Sequence, residues 1–73
     1  MKDKAKEIMR ENIEYYYDTK YDRAWSNHTD KRAAHDAMVA VYEALRDLGL
    51  VTREEYKAMK AEIHDAKYKE AHA

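Results

Sequence analysis

Apolar residues recur at helical spacing through the first third of the chain. They stand three or four positions apart, which places them on one side of a helix while charged residues occupy the rest of its surface. The stripe consists of Ala5, Met9, Ile13 and Tyr16, with Ile8 and Tyr17 at its edges. The pattern predicts a first helix over about residues 3–24, with this stripe turned towards the core.

Two further segments show the same periodicity. The second predicted helix spans about residues 30–48, and its stripe consists of Ala34, Met38, Val41, Leu45 and Leu48. Val39 and Tyr42 widen its apolar surface, so we expect this helix to contact neighbours on two sides and to be the central one. The third predicted helix spans about residues 53–71, with a stripe of Tyr56, Met59, Ile63 and Ala66. The fold class is therefore all-α, a three-helix unit.

The second predicted helix has a clear ending signal. Gly49 is the only glycine in a chain without proline, and it stands where a helix must adopt a left-handed backbone to stop. Leu45 and Leu50 then occupy the two positions that touch in a Schellman ending. These residues predict a tight corner between the second and third helices, a short αα-hairpin centred on Gly49.

The third predicted helix has an equally clear starting signal. Thr52 is an N-cap residue, and Glu55 stands three positions later, where its side chain can reach back to the Thr52 amide. Val51 and Tyr56 occupy the two positions of a hydrophobic staple. The corner is thus specified from both sides.

The amount of apolar material bounds the stability of the fold. The 73 residues are expected to form a single helical domain over 1–73, and a core of that size gives about 3 to 5 kcal/mol of net stability. There is no cysteine to form a disulfide or a thiolate metal site. The remaining routes to stability are good helix packing or self-association, and we favour a three-helix unit that forms a homodimeric bundle or another homo-oligomer.

Net charge and hydropathy limit the locations and the classes of partner that we expect for the protein. The net charge is −1, from 14 basic and 15 acidic residues, which creates no overall field for nucleic acid or an anionic membrane. The charged first residues are not followed by an apolar stretch of signal-peptide type, and no run approaches a membrane-spanning length. A soluble cytoplasmic protein without a membrane span is expected.

The first predicted helix carries more aromatic residues than one core face can hold. Consecutive helix positions are 100° apart, so Tyr15, Tyr16 and Tyr17 cannot all face the core. A second stripe follows i, i+4, i+8 spacing, and tyrosine, tryptophan and arginine are the types that anchor protein interfaces. We interpret it as a partner-binding surface formed by Tyr17, Tyr21 and Trp25, with Arg10 and Lys20 as flanking polar anchors. The alternative is that these rings pack on Val39 and Tyr42 of the second helix.

Two charged stripes invite a second interpretation. An acidic line on the first helix consists of Glu7, Glu11, Glu14 and Asp18, and a solvated face explains it best. A basic strip on the third helix, a candidate for contact with phosphate or another ligand, consists of Arg53, Lys57, Lys60, His64 and Lys67. The same strip could instead pair with acidic residues of the first helix, so nucleic-acid binding is not favoured.

The residues indicate neither a metal site nor an enzyme. His64 and His72 are eight positions apart, about 12 Å along a helix, which is too far for one zinc ion. Ser26 stands in a linker without a local oxyanion loop, and cysteine is missing, so no nucleophile is set up. We expect no catalytic residue, no metal and no cofactor.

The segment from Leu48 to Ile63, LGLVTREEYKAMKAEI, resembles the helix-turn-helix pair of short C-terminal SHOCT domains. It covers less than a quarter of the chain and implies a helical corner but no activity. In length, charge and tyrosine content the chain is similar in style to phage or mobile-element products that block bacterial defence, anti-CRISPR proteins among them.

The function expected from the sequence is that of a small interaction module that binds another protein stoichiometrically. An inhibitor of host defence from a phage or mobile element is one form of it. The alternative is an oligomer that sequesters a ligand or binds nucleic acid through tyrosine residues and the cations of the third helix. Salt dependence would separate the two, because phosphate binding weakens steeply with salt.

Overall fold

The computed structural model describes residues 2–21 and 28–71, with the side chains of 28–30 excepted, and shows three helices there. They are α1 (Lys2–Tyr21), α2 (His28–Asp47) and α3 (Arg53–Ala71). The all-α three-helix prediction is confirmed. The bounds predicted for the third helix match, whereas residues 22–24, predicted to end the first, lie outside the described residues.

The corner between α2 and α3 has the predicted geometry. Gly49 has φ of 72°, in the left-handed region. The Leu50 amide donates to the Leu45 carbonyl at 2.9 Å, and the Gly49 amide donates to the Arg46 carbonyl at 2.9 Å, which is the Schellman pair of bonds. The helix therefore stops at the glycine because its last carbonyls are satisfied by the turning backbone.

The start of α3 also forms as predicted. The Thr52 amide donates to Glu55 Oε1 at 2.8 Å, and the Glu55 amide donates to Thr52 Oγ1 at 3.1 Å, a reciprocal capping box. Val51 and Tyr56, the staple residues, are both buried in the core. These contacts fix the direction in which α3 leaves the corner.

The central helix is α1, and the prediction that the second helix would be central is wrong. α1 packs against both α2 and α3, while α2 and α3 contact each other much less. Near the corner the rings of Tyr42 and Tyr56 stack with centroids 4.0 Å apart, which joins α2 to α3 there. Of the two residues that widen the apolar surface of α2, Val39 is only partly buried, and Tyr42 is buried where it stacks on Tyr56 beside the corner.

The helices run up, down and up. The Lys6 ammonium lies 2.7 Å from the Glu55 carboxylate, near the start of α1 and of α3, and Lys67 lies 2.8 Å from Asp18, near the end of both. α1 and α3 are therefore parallel. The ring of Tyr16, late in α1, contacts the ring of His35, early in α2, so these two helices are antiparallel.

The buried apolar residues of α1 follow a spacing of four rather than the predicted mixture of three and four, and the polar Thr19 is buried as well. Tyr17 continues the stripe with 7% of its surface exposed, whereas Tyr16, predicted to be in the stripe, is only partly buried. Positions four apart advance about 40° around a helix, so the stripe turns as it rises. The buried members are Ala5, Met9, Ile13 and Tyr17.

Two other stripe residues face solvent. Leu48 is 71% exposed and is the first residue after α2, which ends at Asp47. Ala66 is exposed on α3, and the buried side of α3 is formed by Tyr56 and Ile63, with Met59 packed against them. The core accordingly narrows towards the far end of α3.

Over the described ranges 2–21 and 28–71, no helix combines the length and the apolar character that are needed to cross a bilayer.

Candidate functional site

An aromatic cluster joins α1 to α3 at the end away from the corner. The rings of Tyr17 and Tyr21 stack with centroids 6.2 Å apart, and His64 meets Tyr17 edge-on at 5.3 Å. Tyr68 lies 5.9 Å from both Tyr21 and His64. Offset and edge-on pairs at such distances add to the hydrophobic contribution of the rings. The cluster thus holds Tyr21 in one place at the surface.

Hydrogen bonds fix the histidine in this cluster. His64 Nδ1 lies 3.2 Å from Asp65 Oδ1, and the Tyr21 hydroxyl lies 2.7 Å from His64 Nε2. An ionised carboxylate can only accept, so Nδ1 carries the proton in neutral histidine and Nε2 accepts from the tyrosine hydroxyl. Both nitrogens are therefore used within the chain.

A groove of about 460 Å³ opens beside this cluster, and we call it the tyrosine groove. Tyr15 is its most exposed ring, with 51% of its surface accessible. Asp18 and Lys67 form an ion pair across the groove, and their hydrogen bond raises the pKa of Lys67. The tyrosine groove is lined by Tyr15, Tyr17, Asp18, Thr19, Tyr21, Lys67, Glu70 and Ala71.

The predicted partner-binding residues take different positions. Tyr17 is buried in the core of this chain, and that burial raises the pKa of its hydroxyl. Tyr21 is partly buried, and Lys20 is exposed with its ammonium 5.6 Å from the Tyr21 ring centre. Arg10 points towards Glu62 on α3 at 4.0 Å. Trp25 lies outside the described residues. Of the predicted residues that the structure describes, Tyr21, Lys20 and Arg10 keep accessible surface on α1, whereas Tyr17 does not.

The predicted basic strip of α3 is divided among several tasks. Lys67 pairs with Asp18, as one of the two interpretations anticipated, and His64 is held by Tyr21. The Lys60 ammonium lies 5.1 Å from the centre of the Tyr56 ring, a cation–π distance. Arg53 and Lys57 are exposed. The strip therefore offers two open cations at its corner end rather than five along its length.

The sequence reasoning missed a second groove, of about 510 Å³, between α1 and α2. We call it the cationic groove. Its walls bring together two aromatic rings, two lysines, an arginine and a histidine, and no acidic residue is among the described residues that line it. The lining consists of Tyr16, Lys20 and Tyr21 from α1 and Lys31, Arg32 and His35 from α2. The available signal was the i, i+1, i+4 spacing of the three α2 residues on one flank, which resembles an ordinary solvated face.

Comparison of the chain with protein-family models, with curated proteins and with solved structures found no match.

Proposed function

We propose that the protein is a non-enzymatic module that binds another protein stoichiometrically through the tyrosine groove. The observation that carries the proposal is an exposed Tyr15 ring at the edge of a groove whose wall includes the partly buried ring of Tyr21. Tyrosine is enriched among residues that dominate binding energy, since it buries a large ring at low entropic cost and keeps a polar hydroxyl.

The surroundings of the groove support binding to a protein rather than to a small apolar compound. The Asp18 and Lys67 pair supplies a polar rim, and Lys20 adds a cation beside the Tyr21 ring. Interfaces commonly combine apolar anchors with such a polar margin. A partner would therefore insert an apolar or aromatic side chain against the tyrosines and place polar groups around it.

Inhibition of host defence is one form that this activity can take. A small protein without a catalytic centre acts on a larger target by occupying a surface that the target needs. We propose this role because the chain is similar in length, charge and tyrosine content to phage and mobile-element inhibitors. The location that we propose for the protein is the cytoplasm.

Self-association belongs to the same proposal. Leu48 is 71% exposed beside the corner, and Ala37, Ala40 and Ala44 lie exposed along the same flank of α2. This uncharged flank supplies surface that a second copy would cover. Sedimentation at several concentrations measures it, and a strictly monomeric protein would contradict it.

Photocrosslinking in the native host tests the proposal directly. A benzoylphenylalanine is introduced in place of Tyr15, and the control carries it in place of Lys57, an exposed residue near the opposite end of α3. We expect the first protein to give one adduct with a one-to-one mass, which excess untagged protein competes away. The control should give none.

Alanine substitution then measures the energy of the contact. Tyr15→Ala should weaken binding of the identified partner by about 2 kcal/mol, or about thirtyfold, whereas Glu11→Ala should change it little. Because Tyr15 is half exposed, the melting temperature of the Tyr15→Ala variant should stay near that of the unaltered protein. Equal binding by the two variants would remove the tyrosine groove from the function.

A further inference from the structure

The geometry points to a second site: the cationic groove binds a small ligand that carries both a phosphate group and a planar ring, such as a nucleotide. It lies between α1 and α2, whereas the tyrosine groove lies between α1 and α3, although Tyr21 lines both. The inference does not depend on the proposed protein partner.

Charge identifies the first half of the ligand. Lys20, Lys31 and Arg32 bring three fixed positive charges to one groove in a chain whose net charge is −1. Three cations exceed what a monocarboxylate can neutralise, and they match a phosphate or diphosphate with its two or three negative charges. Arginine presents a planar fork of donors that fits phosphate oxygens, and lysine supplies a compact charge beside it.

The aromatic walls identify the second half. Tyr16 and Tyr21 line the groove, and the Tyr16 ring meets His35 edge-on at 5.4 Å. Tyrosine faces are platforms on which nucleobases stack, and this stacking tolerates different bases because each has a π-face. The α1 wall therefore suits the ring of the ligand, while Lys31 and Arg32 of α2 suit its phosphate.

The size of the groove agrees with this assignment. Its volume of about 510 Å³ lies within the range of about 300 to 1,000 Å³ that is usual for small-molecule sites. The lining is mixed, with aromatic rings beside a few polar and charged groups, which is the usual composition of such sites. A mononucleotide fits within a groove of this size, whereas an extended nucleic-acid strand would continue beyond it.

Calorimetric titration with adenosine 5′-diphosphate tests the inference, with adenosine and inorganic pyrophosphate as the partial ligands. We expect the diphosphate nucleotide to bind more tightly than either, and its affinity to fall with added salt because phosphate contacts are ionic. Upfield shifts of the adenine protons in NMR spectra should report stacking on tyrosine.

Substitutions locate the binding. The double variant Lys31→Gln with Arg32→Gln should lower the affinity at least about tenfold, since it removes two charge-assisted contacts. The control, Arg53→Gln with Lys57→Gln, removes two exposed charges near the corner end of α3 and should leave the affinity unchanged. The side chains of both pairs lie outside the buried core, so circular dichroism should show intact helices in each.

Several results would overturn the inference. They are no heat of binding at about 1 mM nucleotide, equal affinity for adenosine or for pyrophosphate alone, and equal loss in the two double variants. Binding of a single-stranded oligonucleotide without binding of the mononucleotide would also overturn it, since the ligand would then be a nucleic acid.

Discussion

Substitution of Gly49 isolates the cost of the left-handed backbone at the corner. A Cβ added at this position would meet no other atom within 4 Å, so steric contact adds nothing to the penalty. What remains is the strain of an L-residue at φ of 72°, about 1 to 2 kcal/mol. Gly49→Ala should therefore cost about 1 kcal/mol, Gly49→Val about 2, and Gly49→Asn less than either, because asparagine tolerates this conformation.

Such a loss is large for this chain. A domain of this size has about 3 to 5 kcal/mol to lose, and 1 kcal/mol lowers the melting temperature of a 60- to 100-residue domain by about 4 to 8 °C. Urea denaturation of the three variants measures the differences. A matched control is Ala40→Gly, an exposed position inside α2, where glycine instead of alanine should cost about 0.5 to 1 kcal/mol.

The two substitutions exchange the same pair of residues in opposite directions, yet both should destabilise the protein. If Gly49→Ala were as stable as the unaltered protein, the backbone at this position would not be held left-handed, and the account of the corner would fail. Equal stability of the valine and asparagine variants would lead to the same conclusion.

Two further predictions concern the core and the ion pair that joins α1 to α3. Met9→Ala should cost about 2 to 5 kcal/mol, because Met9 has no exposed surface, and should leave the chain largely unfolded. The control is Ile8→Ala, at a neighbouring residue that is 37% exposed, and its melting temperature should stay near that of the unaltered protein. Similar melting of these two variants would show that α1 is not packed as described. The hydrogen bond from Lys6 lowers the pKa of Glu55, so this contact stabilises the fold at neutral pH and its contribution is lost as the pH falls through the lowered pKa. Glu55→Gln keeps the capping box, so the stability of this variant to urea should fall less between neutral and acid pH than that of the unaltered protein or of Glu11→Gln, a control at an exposed residue of α1. Identical acid losses would contradict the role of the pair.

The local parts of the fold could be predicted from the sequence. Gly49 and Thr52 act through backbone groups within a few residues of themselves, so their effects do not depend on the rest of the molecule. The same holds for the existence and bounds of α3. The capped corner and the three helices therefore followed from residue types and spacing.

The arrangement of the helices could not be predicted in the same way. Which helix lies in the centre depends on how whole faces pack, and the apolar surface of α2 gave the wrong answer because part of it is left open around Leu48. The choice between Tyr16 and Tyr17 also depended on packing, since Tyr17 is buried against His64 of α3, whereas Tyr16 lies partly exposed against His35 of α2. A difference of one residue in register decides which ring is buried.

The two candidate sites differ in how much of each could be predicted from the sequence. Excess tyrosine on the first helix was visible in the sequence, although the exposed ring proved to be Tyr15 rather than Tyr17. The cationic groove could not be predicted from the sequence, because Lys31 and Arg32 line it together with Lys20 only when α2 packs beside α1. Such non-local convergence leaves no mark on the periodicity of either helix.

The central position of α1 has a consequence for the order in which the chain folds. The corner brings α2 and α3 together at once, yet these neighbours contact each other little, so the pair closed early in sequence gains little free energy by itself. The contacts that complete the fold join residues far apart in the chain, such as Lys6 with Glu55. The packing of α1 on α2 joins helices that are neighbours in the chain, whereas the packing of α1 on α3 requires closure of a loop that includes all of α2, and that step slows completion of the fold. During synthesis α2 therefore emerges in time to cover part of the buried face of α1, and the part that packs on α3 stays uncovered until α3 has left the ribosome.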